Sequence, residues 1–243
     1  MNNVRWLAFS LILGCILASC ASSTPPVERA QAPAHIWILG DSLTGGLYAS
    51  SEEAAFRTLL FGKLQEQYGH QIEELYWRRL CALASLEERW EEMAGRPDLV
   101  FIEIGINDMA NVNCEQIPES AWRARFAAML DRIRERAPDA MIVVGTIPWC
   151  DWSEENPTRD RALVYNDWIR AEADARNLAV ADLWAATVER PDGLSAPEQA
   201  SPFPPRYQGD HFHPNDVGHA RIAETFYQAY IEHYAANATR DAK

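Results

Sequence analysis

The chain has 243 residues, 35 acidic against 22 basic side chains, a formal charge of −13 at pH 7 and 48% hydrophobic residues. Such acidity excludes an electrostatic grip on nucleic acid and charge-driven adhesion to anionic lipid, and it decides nothing about the fold. Beyond the first 34 residues about 200 remain, the size of one domain with a full core.

Residues 1–19 read as a signal peptide. Arg5 supplies the positive start, and Leu7 to Ser19 is an apolar run shorter than the about 20 residues of a membrane-spanning helix. Leu17-Ala18-Ser19-Cys20 resembles the lipobox of bacterial lipoproteins, which implies cleavage before Cys20 and lipidation of that residue. Ordinary secretory cleavage nearby is the plainer alternative. Residues 20–34 then form the lipidated cysteine and a tether rich in Ser, Thr, Pro and Ala, which reaches at most about 45 Å. Ala21 is not aspartate, so in a two-membrane bacterium the resemblance implies an exported protein anchored at the periplasmic face of the outer membrane. The folded domain is expected over 35–235, with a tail over 236–243.

His35 to Leu39 is an apolar run that predicts a buried strand, and Gly40-Asp41-Ser42-Leu43 follows it as a tight turn. Phe56, Leu59, Leu60, Leu64 and Tyr68 repeat at helical spacing. A weaker strand lies near Ile72 to Tyr76, and Leu83, Leu86, Trp90 and Met93 mark one helix. Leu99 to Ile104 is the clearest strand. Trp122, Phe126, Met129, Leu130 and Ile133 form the best helical face. Met141 to Ile147 predicts a strand, Arg159 to Arg176 a helix, Leu178 to Leu183 the last strand, and Ile222, Phe226 and Tyr230 the final helix, opened by Pro214 at its first position. The stretch from Ala185 to Phe212 has no periodicity and reads as a partly ordered loop. This alternation predicts an α/β domain whose parallel sheet is covered on both faces, with ligands bound beyond the strands' carboxyl ends. Of the cysteines beyond the tether, Cys114 and Cys150 each follow a strand and are the favoured disulfide pair, leaving Cys81 free.

Three remote segments carry chemistry. Ser42 lies where a strand end presents a hydroxyl, and is the candidate nucleophile. Ser195 competes, but no strand precedes it. His213 is the candidate general base, since a histidine's ordinary pKa of about 6.5 suits proton removal near neutrality. Asp210 is placed to orient the other ring nitrogen, with Asp182 as second choice. Asn107, in Gly105-Ile106-Asn107-Asp108, offers an amide to a developing oxyanion beside the Ser42 backbone N–H. Asp41 and Asp108 read as ordering their own turns. Metal binding by Asp210, His211 and His213, or by His219, lacks a clear third ligand, so no metal is expected. Trp149 and Trp152 are candidates for lining an acyl or sugar pocket. No Gly-x-Ser-x-Gly elbow is present, which argues against an ordinary α/β-hydrolase.

These residues resemble the blocks of the GDSL or SGNH hydrolase family: Ser42 in Gly40-Asp41-Ser42-Leu43, Asn107 in Gly105-Ile106-Asn107-Asp108, and Asp210 and His213 in Asp210-His211-Phe212-His213-Pro214. The resemblance implies a flavodoxin-like, three-layer α/β/α fold with a five-stranded parallel sheet and a cofactor-free serine esterase that forms an acyl-enzyme. The family's second block has a glycine whose N–H completes the oxyanion hole. Here Arg79-Leu80-Cys81-Ala82-Leu83 has none, so Cys81 or Ala82 would donate instead. That departure motivates an alternative, a non-catalytic carbohydrate- or envelope-binding lipoprotein that keeps the fold. The expected substrate is a small-molecule ester or an acylated glycan or lipid, with membrane contact through the anchor at Cys20.

Overall fold

The computed structural model describes residues 33–69, 72–93, 95–110, 117–150, 157–195 and 212–241. Five strands build one sheet: β1 (His35–Gly40), β2 (Glu74–Arg79), β3 (Leu99–Glu103), β4 (Met141–Gly145) and β5 (Ala179–Ala181). Their order is β2-β1-β3-β4-β5 and every pairing is parallel. β3 is buried at every position and β1 at all but its first, as a sheet covered on both faces requires. The helices are α1 (Phe56–Tyr68), α2 (Leu83–Glu88), α3 (Ile106–Ala110), α4 (Glu119–Arg136), α5 (Pro157–Asp174), α6 (Leu183–Thr187) and α7 (Asp216–Asp241). α1 and α6 pack on α7, while α2 and α5 pack on α4. The result is the expected three-layer α/β/α fold. No helix among the described residues is long and apolar enough to cross a membrane.

Both helical layers are apolar toward the sheet. Trp122, Phe126, Met129, Leu130 and Ile133 of α4 are all buried. Trp122 stacks on Phe126 at 4.9 Å and meets Tyr165 of α5 at 4.7 Å. On the other face Phe226 of α7 sets its edge against Phe101 of β3, with centroids 5.6 Å apart. Burying each such ring contributes about 1.5–3 kcal/mol, so these helices form by packing rather than by propensity.

Several boundaries differ from expectation. The edge strand β2 begins at Glu74, because its register follows β1 from His35↔Glu74 to Gly40↔Arg79. The single helix expected across Leu83 to Met93 stops at Glu88 and resumes as a 3-10 turn at Trp90–Glu92. β5 stops at Ala181 because Asp182 turns the chain into α6, its carboxylate accepting the Ala185 N–H at 3.0 Å. α7 starts at Asp216, not at Pro214: Asn215 Oδ1 accepts from the N–H groups of Val217 and Gly218, so it caps the helix, and Pro214 pairs with Leu194 instead. Within the expected loop from Ala185 to Phe212, the described part holds the end of α6 and a 3-10 turn at Pro191–Gly193.

The chain leaves β1 toward β2 on one side and returns to β3 on the other. This reversal opens a crevice beyond the carboxyl ends of β1 and β3, where sheets of this type hold ligands. Ser42 follows β1 and Asn107 follows β3.

Candidate active site

The Ser42 turn is built from backbone bonds and one carboxylate. Gly45 N–H donates to Asp41 O at 2.9 Å, Leu47 N–H to Ser42 O at 3.0 Å, and Leu43 N–H to Asp41 Oδ1 at 3.0 Å. Asp41 thus orders its own turn, as its position suggested. Gly40 is required because a Cβ there would run into Thr44 Oγ1 and the Glu103 carbonyl oxygen. The rest of the loop is stitched to α1 and α7. Arg57 donates to the Thr44 carbonyl at 2.8 Å, and Ser50 donates its N–H and hydroxyl to Asp216 at 2.7 and 2.6 Å. His219 is wholly buried, accepting the Phe56 N–H on Nδ1 at 3.3 Å and facing the Leu47 carbonyl from Nε2 at 3.2 Å. The first bond fixes the tautomer: the proton sits on Nε2 and is donated to Leu47. Both ring nitrogens are therefore engaged, and His219 is not a metal ligand.

Across the crevice, Ser42 Oγ lies 2.8 Å from His213 Nε2, a hydrogen bond between residues 171 apart in sequence. The imidazole is wedged between rings, with Tyr48 at 5.5 Å and Phe212 at 5.0 Å between centroids. Tyr48 is fully buried and has φ 65°, a left-handed conformation uncommon for a bulky residue, held by the packed loop around it. The His213 carbonyl accepts the Ser195 N–H at 2.8 Å. Ser195 is itself buried, which places the competing serine in a structural role.

The oxyanion side comes from β2 and β3. Gly105 has φ +121°, and a side chain there would press on Trp122 and Ile147, so glycine makes the bend that starts α3. Asn107 donates from Nδ2 to the Cys81 carbonyl at 2.7 Å, which fixes the amide while leaving its second N–H unengaged among the described residues. Asp108 reaches beyond its own turn. Its Oδ2 accepts the Leu83 N–H at 3.1 Å and so holds the start of α2, and burial raises its pKa. The two side chains of α3 thereby clamp the Cys81–Leu83 segment from both ends. Among the described residues, the N–H groups of Ser42 and Ala82 donate to nothing.

Other expectations resolve differently. Cys150 is a buried thiol outside any disulfide and donates to the Phe212 carbonyl at 3.2 Å, and Cys81 is the disulfide-bonded cysteine. The Cys114–Cys150 pair is therefore corrected: Cys150 points into the domain, and the partner of Cys81 lies outside the described residues. Asp182 bonds Thr146 at 3.2 Å and Arg170 with both oxygens at 3.1 Å, which commits it away from His213. Trp149 is nearly buried and lines a narrow apolar recess with Leu194, with Leu43, the neighbour of Ser42, and with Phe212 and Pro214, the neighbours of His213. Asp210, His211, Trp152, Cys20 and Cys114 lie outside the described residues.

Sequence reasoning missed Glu103, Thr44 and Tyr48, and weighed His219 only as a metal ligand. Each looks like an ordinary strand, turn or helix residue, and only strand order and helix packing bring it under the Ser42 loop.

Solved structures share this fold. LAE5, an alpha/beta hydrolase enzyme from the metagenome of Lake Arreo, Spain, superposes with a TM-score of 0.64 at 20% identity, covering 82% of this chain and 96% of that one. Axe2, an acetylxylan esterase from Geobacillus stearothermophilus, gives the same TM-score, identity and coverage. At such identity the likeness carries the fold alone. No curated protein matches the chain. The sequence profile of the GDSL-like Lipase/Acylhydrolase family matches residues 38–221, a span that holds the Ser42 turn, Asn107 and His213. By that match over most of its length, the chain belongs to the GDSL-like lipase/acylhydrolase family.

Proposed function

We propose that this protein is a serine hydrolase of carboxylic esters. Membership of the acylhydrolase family and the esterase fold of its structural neighbours support the reaction class. The observation that carries the residue assignment is the 2.8 Å bond between Ser42 Oγ and His213 Nε2. In this reading His213 takes the Ser42 proton as the hydroxyl oxygen attacks the ester carbonyl. The tetrahedral oxyanion is met by the N–H of Ser42, the free Nδ2 hydrogen of Asn107 and the N–H of Cys81 or Ala82, of which Ala82 has its donor unengaged. His213 then protonates the leaving alcohol, and water activated by the same imidazole releases the acid. Asp210 is assigned the orienting role by its family position.

The narrow recess beside Trp149 favours a short acyl group, and an acetyl ester of a carbohydrate is the substrate class that the Axe2 likeness suggests. Ser42→Ala is expected to abolish cleavage of p-nitrophenyl acetate, at least about 10⁴-fold in kcat, with an unchanged far-ultraviolet spectrum. A fluorophosphonate probe should label Ser42 in the wild type. Unchanged turnover in Ser42→Ala, or no labelling of folded protein, refutes the assignment and favours a binding protein. We also propose export and lipidation at Cys20. Palmitate incorporation that persists after Cys20→Ala ends that reading.

A further inference from the structure

Two carboxyls lie buried beneath the Ser42 turn without a cation. Asp41 is 0% and Glu103 2% exposed. Gly40 is the register partner of Glu103, so the two acids sit side by side where the neighbouring strands β1 and β3 end. Asp41 Oδ1 is taken by the Leu43 N–H, and Oδ2 has no hydrogen-bond partner at ordinary distance. Glu103 Oε2 accepts the hydroxyl of buried Thr44 at 3.3 Å. The two acids therefore grip consecutive residues, Leu43 and Thr44, directly after Ser42.

The charged surroundings offer no other relief. Asp41 faces Glu103 from β3, His213 from the segment before α7 and Asp108 from α3, while Glu103 faces Asp41 and Thr44. Arg57 of α1 reaches the turn but spends its nitrogens on the Thr44 carbonyl and Glu52. Arg79 of β2 lays its stem over Gly45. Among the described residues neither acid pairs with Lys or Arg. Adjacent buried carboxyls do not both ionise; one keeps its proton and donates it to the other. Burial pushes Asp41 up to about 7, and burial with the Asp41 charge holds Glu103 well above the carboxylate range.

We propose that Asp41 and Glu103 hold one proton between them and that this singly charged pair is the positioning device for the nucleophile. The role rests on the reading of Ser42 given above. Glu103 keeps the proton and offers it toward Asp41 Oδ2. Asp41 keeps one negative charge facing His213, which favours the imidazolium formed when the Ser42 proton moves to it. Losing the shared proton leaves two repelling charges, and their separation draws Asp41 from Leu43 and Glu103 from Thr44.

Glu103→Gln tests this, because its amide hydrogens stay in place at every pH. Wild type and variant are compared by thermal unfolding from pH 6 to 10, and by kcat and KM on p-nitrophenyl acetate over the same range. A raised carboxyl pKa contributes stability that is complete below the unfolded-state value of about 4 and is lost as pH rises to the folded-state value, above which nothing more is lost. The wild type should therefore lose melting temperature as pH rises from 6 until Glu103 has ionised, and lose kcat as that proton leaves, with KM nearly constant. Glu103→Gln has no such proton to lose, so its melting temperature and kcat should hold steady over the part of the range in which the wild type declines. Superimposable melting profiles overturn the shared proton, and a melting shift without a kcat shift overturns the positioning role. If the wild type is not labelled at Ser42, the hydrolase reading fails separately, and melting still decides the pair. If Glu103→Gln does not fold, Asp41→Asn carries the melting comparison, since its Oδ1 still accepts from Leu43 and its amide donates to Glu103, and with the charge facing His213 removed its kcat should fall; an unchanged kcat overturns the positioning role.

Discussion

His219 makes the protein sensitive to acid through one buried ring. It is wholly buried at the junction of the Ser42 loop, α1 and α7, bonded to the Phe56 N–H and the Leu47 carbonyl. Desolvation draws its pKa down from 6.5 to about 4, against the opposing pull of the Leu47 carbonyl. The unfolded chain binds this proton near pH 6.5 and the folded protein only near 4. The stabilisation is complete above pH 6.5, is lost as pH falls toward 4, and then levels off. Binding the proton to both states with these values gives a loss of about 2 kcal/mol between pH 7 and 4.5, out of about 3 kcal/mol for the full shift. The perturbation is His219→Gln, which carries no titrating group. Urea unfolding of both proteins at pH 7 and 4.5 supplies four free energies. The wild type should lose about 2 kcal/mol more than the variant, since carboxylates common to both cancel. Equal losses, within about 0.5 kcal/mol, refute the claim that His219 is held neutral.

Asn107→Ala removes one oxyanion donor and the clamp on the Cys81 carbonyl, so kcat should fall about 10²–10³-fold with little change in KM. A fall confined to KM removes Asn107 from the oxyanion site. Alkylation under denaturing, non-reducing conditions should modify Cys150 and spare Cys81, read by peptide mass spectrometry. Modified Cys81 would contradict its disulfide.

The β-α alternation, the buried central strands and the three chemical segments were legible because their signals are local. Strand and helix periods repeat over a few residues, and a glycine, an acid and a serine after an apolar run describe a turn without reference to the rest of the chain. Short helices gave no such signal. α3 and α6 have five residues each, and Asp182 looked like a site carboxylate until its bonds to Arg170 and Thr146 and its capping of α6 were seen. The cysteines misled for a related reason: following a strand says which edge a residue reaches, not which way its sulfur points.

Side chains far apart in sequence are a different matter. Glu103 reads as an unremarkable strand end until β1 and β3 become neighbours and bury it against Asp41. His219 reads as a helix residue until α7 packs under the Ser42 loop. Ser42 and His213 were nameable as types of group, yet their 2.8 Å contact depends on strand order and on how α7 seats against the sheet. Chain-local chemistry writes the list of reactive groups. Long-range packing selects which of them lose water, gain partners and change their charge.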